Sequence, residues 1–409
     1  MSRKGHLMKI LEAFGEPVSY GGQEIFVMNV LDHMDRSGME IDFLTPYFCD
    51  NESIRSRVME YGGIVYELGC SFRPGRSRMD TALPILEFLR KRNYDLIHIH
   101  SGSSSMLAIY AAASHTAGIE CIIAHSHCTG RDDMRHTVSR AATVPVLKRC
   151  VTDFCACSEE SGRWRFPRSV CDSELHVIKN GIDTAAFAYD EQKRAEIRSM
   201  YGIVDDTVLI GTVGRLTYQK NQLYMLRLLR KMISDISCPD CDDDHEKIRE
   251  IHETGGKEIE TPCGSKAVRK YMLMFAGGGE DLEMLQTYAM MMGLQDRVIF
   301  AGVSGRISDF YSAIDVLAVP SEYEGFPLVV LEAQAAGLEV IASEAVPRIA
   351  EETGLVRIIP LEDRDEWIAA LTSDHCRHSG TARKLEEMGY SAVKTAELIR
   401  KLYLQNIIL

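Results

Sequence analysis

Four charged side chains stand at spacings that could grip a phosphorylated, hydroxyl-rich ligand. The run Ser321-Glu-Tyr-Glu-Gly-Phe-Pro-Leu-Val-Val-Leu-Glu332 carries Glu324 and Glu332, eight positions apart. Pro327 suits the first turn of a helix, where its missing donor costs nothing, so Glu324 falls in the loop before that helix and Glu332 inside it. The offset exceeds one turn, which lets two carboxylates hold different parts of one extended molecule, each accepting hydrogen bonds from neighbouring hydroxyls. Free amides at the helix start favour an anion such as a diphosphate. The plainer alternative is an acidic residue that suits the helix dipole and a solvated Glu332.

A second run, Gly211-Thr-Val-Gly-Arg-Leu-Thr-Tyr-Gln-Lys-Asn221, sets Arg215 and Lys220 at a strand end, with Gly214 allowing close backbone approach. Fixed cations there would stabilise charge developing on a departing diphosphate; two surface cations beside a helix start are the alternative. Ser19-Tyr-Gly-Gly22 places Gly21 and Gly22 in a strand-to-helix turn that could turn amides to an anion, although many such turns simply need glycine. Ala124-His-Ser-His-Cys128 ends another strand. A histidine there is commonly structural, and metal binding lacks a third ligand at a recognisable spacing.

These residues need rigid elements behind them. Continuous apolar runs at Met8–Phe14, Ile41–Pro46, Ile64–Leu68, Leu96–His100, Cys121–Ala124 and Phe154–Ala156 read as strands, with helical patterns such as Gln23–Met34 between them. A second series follows the Asn180-Gly181 turn: Val208–Val213, Met272–Phe275, Val298–Phe300, Val316–Val319 and Glu339–Ala342. Uninterrupted Val/Ile/Leu strands alternating with helices signify parallel sheets covered on both faces. The expectation is an α/β chain of two doubly wound domains, residues 1–183 and 184–385, with a ligand at the carboxyl ends of the strands. A last amphipathic helix over Ala382–Leu404 would make 386–409 pack back towards the first domain.

The chain has 409 residues, 45% hydrophobic and 26% charged, which is ordinary for a soluble globular protein, and a net charge of −13. That balance speaks against wholesale nucleic-acid binding. A basic stretch from Arg131 to Arg168 could touch anionic headgroups or be a solvated helix face. No apolar run reaches the roughly 20 residues a membrane span needs, and the N-terminus has no signal-like apolar core, so a cytoplasmic location is expected. The twelve cysteines read as free thiols. An acidic, polar insertion covers about 235–270; its Cys238, Cys241, His245, His252 and Cys263 fit no standard zinc pattern, and its Asp242–Asp244 run lies away from any strand end.

The Glu324/Glu332 pair and its surroundings, Glu-Gly-Phe-Pro-Leu-Val-Val-Leu-Glu-Ala-Gln-Ala-Ala-Gly (324–337), resemble the Glu-x7-Glu motif of retaining glycosyltransferases of family 4, and the bacterial exopolysaccharide and capsule enzymes among them. The resemblance extends over nearly the whole chain. It implies the two-domain GT-B fold, with Glu324 on the donor sugar, Glu332 on the ribose, and Gly325, Phe326, Pro327 and Leu328 beside the donor. It implies that Arg215, Lys220 and Gly214 meet the diphosphate, that Gly21 and Gly22 approach it, and that backbone near Gly302 and Val303 meets the base. His127 would lie near the reacting sugar, although Cys128 stands where many relatives carry Asn. The implied donor is a nucleotide-sugar, of the UDP kind in this branch, used without metal or cofactor. The implied acceptor is a saccharide or lipid-linked saccharide, with peripheral contact at the inner membrane face. A nucleotide-sugar epimerase of the same fold, or a non-catalytic nucleotide-sugar binder, would share these features; base, sugar, linkage and oligomeric state are not legible.

Overall fold

The computed structural model describes residues 7–73, 77–127, 134–237, 270–303, 305–325, 327–348 and 353–406. Two compact units emerge: one takes in Met1–Ala186, Glu324–Ala335 and Gly380–Leu409, the other Phe187–Tyr323 and Ala336–Ser379.

The first unit holds a seven-stranded sheet in the order β3-β2-β1-β4-β5-β6-β7. Its strands are β1 (Met8–Phe14), β2 (Met39–Thr45), β3 (Val65–Glu67), β4 (Leu96–His100), β5 (Cys121–Ser126), β6 (Asp153–Ala156) and β7 (Leu175–Val177). Every pairing is parallel. One face, with Ile10, Phe14, Ile41, Phe43, Leu96 and Ile123, packs on Phe26 and Val30 of helix Gly22–His33 and on Ile399 and Tyr403 of helix Ala392–Gln405. The other face, with Leu11, Ile97 and Ile122, packs on helices Ala82–Arg90 and Ser104–Ala117. Coverage on both sides explains why these strands read as unbroken apolar runs.

The second unit holds six parallel strands in the order β10-β9-β8-β11-β12-β13: β8 (Thr207–Val213), β9 (Lys270–Ala276), β10 (Val298–Gly302), β11 (Val316–Val319), β12 (Glu339–Ala342) and β13 (Val356–Ile358). Trp367 is buried there, its indole N–H donating to the Pro360 carbonyl at 3.1 Å.

The expected α/β class holds: both sheets are doubly wound and parallel. Two details differ from the sequence reading. Edge strands β7 and β13 have only three residues each, too short for a periodic signal. The C-terminal stretch is two helices, Thr381–Glu387 and Ala392–Gln405. Gly389, at φ 91°, separates them, a backbone state glycine adopts at little cost. Both helices belong to the first unit, where Ser391 bridges to Ile182 in parallel.

Eight cysteines are free thiols among the described residues. No described helix is long and apolar enough to cross a membrane. The acidic insertion, from Cys238 through Cys263, and Cys128 lie outside the described residues.

Candidate active site

In the second unit, glycines stitch the carboxyl ends of three strands together. The Gly214 N–H donates to the Ala276 carbonyl at 3.0 Å, Leu216 N–H to Gly278 at 2.9 Å, and Gly277 N–H to Gly302 at 2.9 Å. Gly214 (φ 138°) and Gly277 (φ 146°) take left-handed backbone, which side chains with a Cβ strongly resist. The Gly277-Gly278-Gly279 turn is therefore a packing device for the Gly214 turn, as its lack of dinucleotide spacing suggests.

Arg215 is exposed and Lys220 half-buried on the turn so fixed. The Lys220 stem runs over Gly214: a Cβ there would sit 3.4 Å from Lys220 Cε. The turn is also tied to the loop after β11. Glu322 N–H donates to the Gln219 carbonyl at 2.8 Å, Gln219 Nε2 to the Tyr323 carbonyl at 3.0 Å, and Asn221 Nδ2 to Glu322 Oε1 at 3.0 Å. Asn221, at φ 52°, is the one described non-glycine residue with left-handed backbone. Gly302 and exposed Val303 end β10 in the same unit.

Glu324, Gly325, Pro327, Leu328 and Glu332 fall in the segment that groups with the first unit, along with Gly21, Gly22 and His127. Phe326 lies outside the described residues. The helix runs Leu328–Ala335, so Glu324 is in the preceding loop and Glu332 inside, as the Pro327 signal required. Glu332 is only 6% exposed, which overturns the alternative of a solvated carboxylate; a buried carboxylate needs partners.

At the amino end of helix Gly22–His33, Gly21 provides no side-chain cap. Glu24 in the first turn is buried, and its Oε2 would lie 2.4 Å from a Cβ on Gly21. Burial pushes the Glu24 carboxyl up to about 7, against hydrogen bonds from backbone, and the charge of Glu16 adds to the rise. Glu16 is raised by burial too, while accepting from Gln23 Nε2 at 3.2 Å and Ser101 Oγ at 3.0 Å. The glycine turn expected to face an anion thus already has carboxylates beside it.

His127 belongs to a buried polar assembly that residue-by-residue reading of the sequence missed. His98 and His100 on β4, and His125 and His127 at the end of β5, are i, i+2 pairs, so each pair shares a sheet face. The register sets Glu12 of β1 opposite His98 and His100 opposite His125. His100 Nε2 lies 2.7 Å from Glu12 Oε2, and His100 Nδ1 lies 2.8 Å from His127 Nε2. Tyr403 donates to Glu12 Oε1 at 2.7 Å, His98 Nδ1 lies 2.7 Å from the Tyr403 hydroxyl, and His98 Nε2 lies 3.1 Å from His125 Nδ1. Phe26 walls the site, its ring 5.0 Å from that of His127. Burial raises the Glu12 carboxyl, and holds His100 down to about 3 and His98, His125 and His127 well below the usual imidazole range. The histidines are therefore neutral at pH 7. The H-x-H repeat on two neighbouring strands, with an acid inside the apolar run Met8–Phe14, was the available signal.

Among the described residues, two groups could hold a cation by geometry. One is His98, His100 and His125; the other is Glu339, Cys376 and His378; the ligand atoms of each lie within 4.8 Å of one another. The third histidine that chain spacing could not supply beside His125 thus comes from β4. The nitrogens of that group, His125 Nε2 excepted, are however engaged with each other, with His127, Glu12 and Tyr403.

Comparison with known proteins agrees with this architecture. The family described as Glycosyltransferase Family 4 matches residues 20–186, and that described as Glycosyl transferases group 1 matches 261–373. Putative glycosyltransferase EpsF of Bacillus subtilis is 28% identical over 394 residues, covering 94% of this chain and 93% of that protein. The UDP-Gal:alpha-D-GlcNAc-diphosphoundecaprenol alpha-1,3-galactosyltransferase of Escherichia coli is 26% identical over 356 residues, 81% of this chain and 80% of that one. The crystal structure of Anabaena HepE in complex with UDP superposes with a TM-score of 0.69 at 17% identity, covering 97% of this chain and 100% of that one. That likeness is one of fold.

Proposed function

We propose that this hexosyltransferase-type glycosyltransferase of the GT-B fold transfers a sugar from a UDP-sugar to a saccharide or lipid-linked saccharide, with retention at the anomeric carbon, in the building of an exopolysaccharide or capsule. The observation that carries the reading is the similarity, over 81% of the chain, to an enzyme named for a UDP-galactose donor and a diphosphoundecaprenol-linked acceptor. The similarity to EpsF points the same way.

In this reading Arg215 and Lys220, on the glycine-fixed turn, hold the diphosphate. Glu332 takes the ribose and Glu324 the hydroxyls of the donor sugar. Gly325, Phe326, Pro327 and Leu328 lie beside the donor, Gly302 and Val303 meet the base, and Gly21 and Gly22 approach the phosphates. The bond from the anomeric carbon to the phosphate oxygen breaks, and a bond to the acceptor oxygen forms on the same face. The acceptor hydroxyl's proton passes to the departing phosphate oxygen. Preorganised cations stabilise the charge that leaves. The reaction so drawn uses no metal or cofactor. The residues 1–183 supply the acceptor side and 184–385 the donor side, in cytoplasmic contact with the membrane face where a lipid-linked acceptor resides.

The test is a panel of UDP-sugars with and without an undecaprenyl-diphosphate-linked sugar. UDP release should depend on the acceptor, and NMR of the product should show the donor's anomeric configuration. Inverted product would overturn retention. Conversion of donor to a free epimer without acceptor would establish the epimerase instead, and donor binding with no turnover would establish a binder.

A further inference from the structure

The buried assembly around Glu12 has an order of hydrogens that one carboxylate dictates. With Glu12 ionised, its Oε2 accepts from His100 Nε2–H at 2.7 Å. A neutral imidazole carries one hydrogen, so His100 Nδ1 is a lone pair and accepts from His127 Nε2–H at 2.8 Å. His127 Nδ1 is then a lone pair too. It is buried, without a hydrogen-bond partner among the described residues. The second branch runs in the same sense. Tyr403 donates to Glu12 Oε1, His98 Nδ1–H donates to Tyr403, and His125 Nδ1–H donates to His98 Nε2, which leaves a lone pair on His125 Nε2, likewise unpartnered. The rings of His125 and His127 stack with centroids 4.1 Å apart. Both chains thus end in basic nitrogens at the carboxyl end of β5, the place where parallel sheets present ligand-binding groups.

If Glu12 is protonated or replaced by an amide, the first branch reverses. Position 12 then donates to His100 Nε2, His100 donates to His127 Nε2, and the outer atom of His127 becomes N–H. The residue at 12, two imidazoles away, decides whether His127 accepts or donates a hydrogen bond. A buried unpaired nitrogen is costly, and this one is held in place by two strands and by Phe26.

We propose that Glu12 and His100 are positioning residues that hold His127 as the Nε2–H tautomer and so present its Nδ1 lone pair to a hydroxyl of a sugar substrate. The proposal rests on the glycosyltransferase reading for its substrate, though not for its hydrogen-bond order. A sugar hydroxyl donating to a neutral imidazole is fixed in orientation without introducing charge into the site. The hydroxyl belongs either to the donor sugar or to the acceptor, and the two are separable by experiment.

The test pairs Glu12→Gln with Tyr403→Phe in the full chain. Glutamine keeps the shape, accepts from Tyr403 and donates to His100, so it enforces the reversed order. Histidine side-chain nitrogen NMR should find His127 bearing its hydrogen on Nε2 in the wild type and on Nδ1 in E12Q. Transfer by E12Q should fall roughly 10- to 100-fold in kcat, the effect of one lost buried hydrogen bond, with UDP affinity by calorimetry unchanged. Tyr403→Phe removes the donor to Glu12 Oε1, a hydrogen bond that holds the Glu12 carboxyl down, so it should shift His127 towards the Nδ1–H tautomer and lower turnover in the same direction as E12Q, by a smaller factor. If a donor lacking one hydroxyl loses rate in the wild type and no further rate in E12Q, the hydroxyl is the donor's; if a deoxy acceptor behaves so, it is the acceptor's. Wild-type His127 protonated at Nδ1, or E12Q with a reversed tautomer and full turnover, overturns the proposal. Should E12Q not fold, the wild-type spectrum alone still decides the hydrogen order. A wild type that transfers no sugar overturns the functional reading, while the tautomer measurement judges the hydrogen order separately.

Discussion

A Cβ at Gly277 would lie 2.0 Å from the carbonyl oxygen of Gly214. The turn after β9 thus touches the turn after β8 backbone to backbone, and the Arg215–Lys220 segment takes its shape from that contact. Gly277→Ala must move one turn off the other and also strain a backbone at φ 146°. The expected cost is about 1–3 kcal/mol, read as a lower thermal midpoint, with weaker UDP binding than a surface alanine substitution elsewhere causes. An alanine variant with unaltered midpoint and UDP affinity would show that the two turns are not mechanically linked.

Lys220→Ala should leave the fold and its melting intact, since the ammonium lies on a half-buried turn rather than in the core. Transfer should drop roughly 10²–10³-fold in kcat, the usual effect of removing one preorganised stabiliser of a leaving group. Near-normal turnover would remove Lys220 from the mechanism.

Glu24 gives stability a pH dependence of known sign. Its carboxyl is raised from 4.5 to about 7 by burial. Below pH 4.5 it is protonated in both folded and unfolded chains. As pH rises from 4.5 towards 7 the unfolded chain ionises first, so the folded state loses stability, and the loss is complete above about 7. Glu24→Gln removes this term. The variant should gain on the wild type by about 2–3 kcal/mol between pH 5 and 8, followed by urea midpoints. A difference that stays constant over that range contradicts the assignment.

Tyr403→Phe should destabilise the first unit by about 1–3 kcal/mol, because Glu12 Oε1 loses a donor and His98 Nδ1 an acceptor inside the core. Equilibrium unfolding measures it; an unchanged midpoint would mean the hydroxyl is not needed to satisfy that carboxylate.

The parallel sheets were legible because each strand is covered on both faces: β1, β4, β11 and β12 run over the residues their apolar runs mark. The Glu324 loop and the helix behind Pro327 were legible through proline chemistry. What escaped were features that exist only across strands. His98 and His100 look like ordinary polar interruptions until β1 and β5 flank them, and Glu12 looks like an error in a buried strand until Tyr403, 391 positions later, donates to it. Asn221 offered a weaker clue, since its left-handed backbone is a role asparagine takes when glycine is absent. Helix capping by glycine explains why one amphipathic stretch became two helices at Gly389.

The pairing of Ile182 with Ser391, through Ile182 N–H to the Tyr390 carbonyl at 3.1 Å and Ala392 N–H to the Ile182 carbonyl at 2.9 Å, constrains the order of events at the ribosome. The N-terminal sheet is synthesised early, yet the helix that covers Glu12 and the apolar surface around Ile10 and Ile123 emerges only after the whole second unit has been made. Until that helix arrives, the nascent sheet displays an oily face and an unshielded acid, a state that invites chaperone capture.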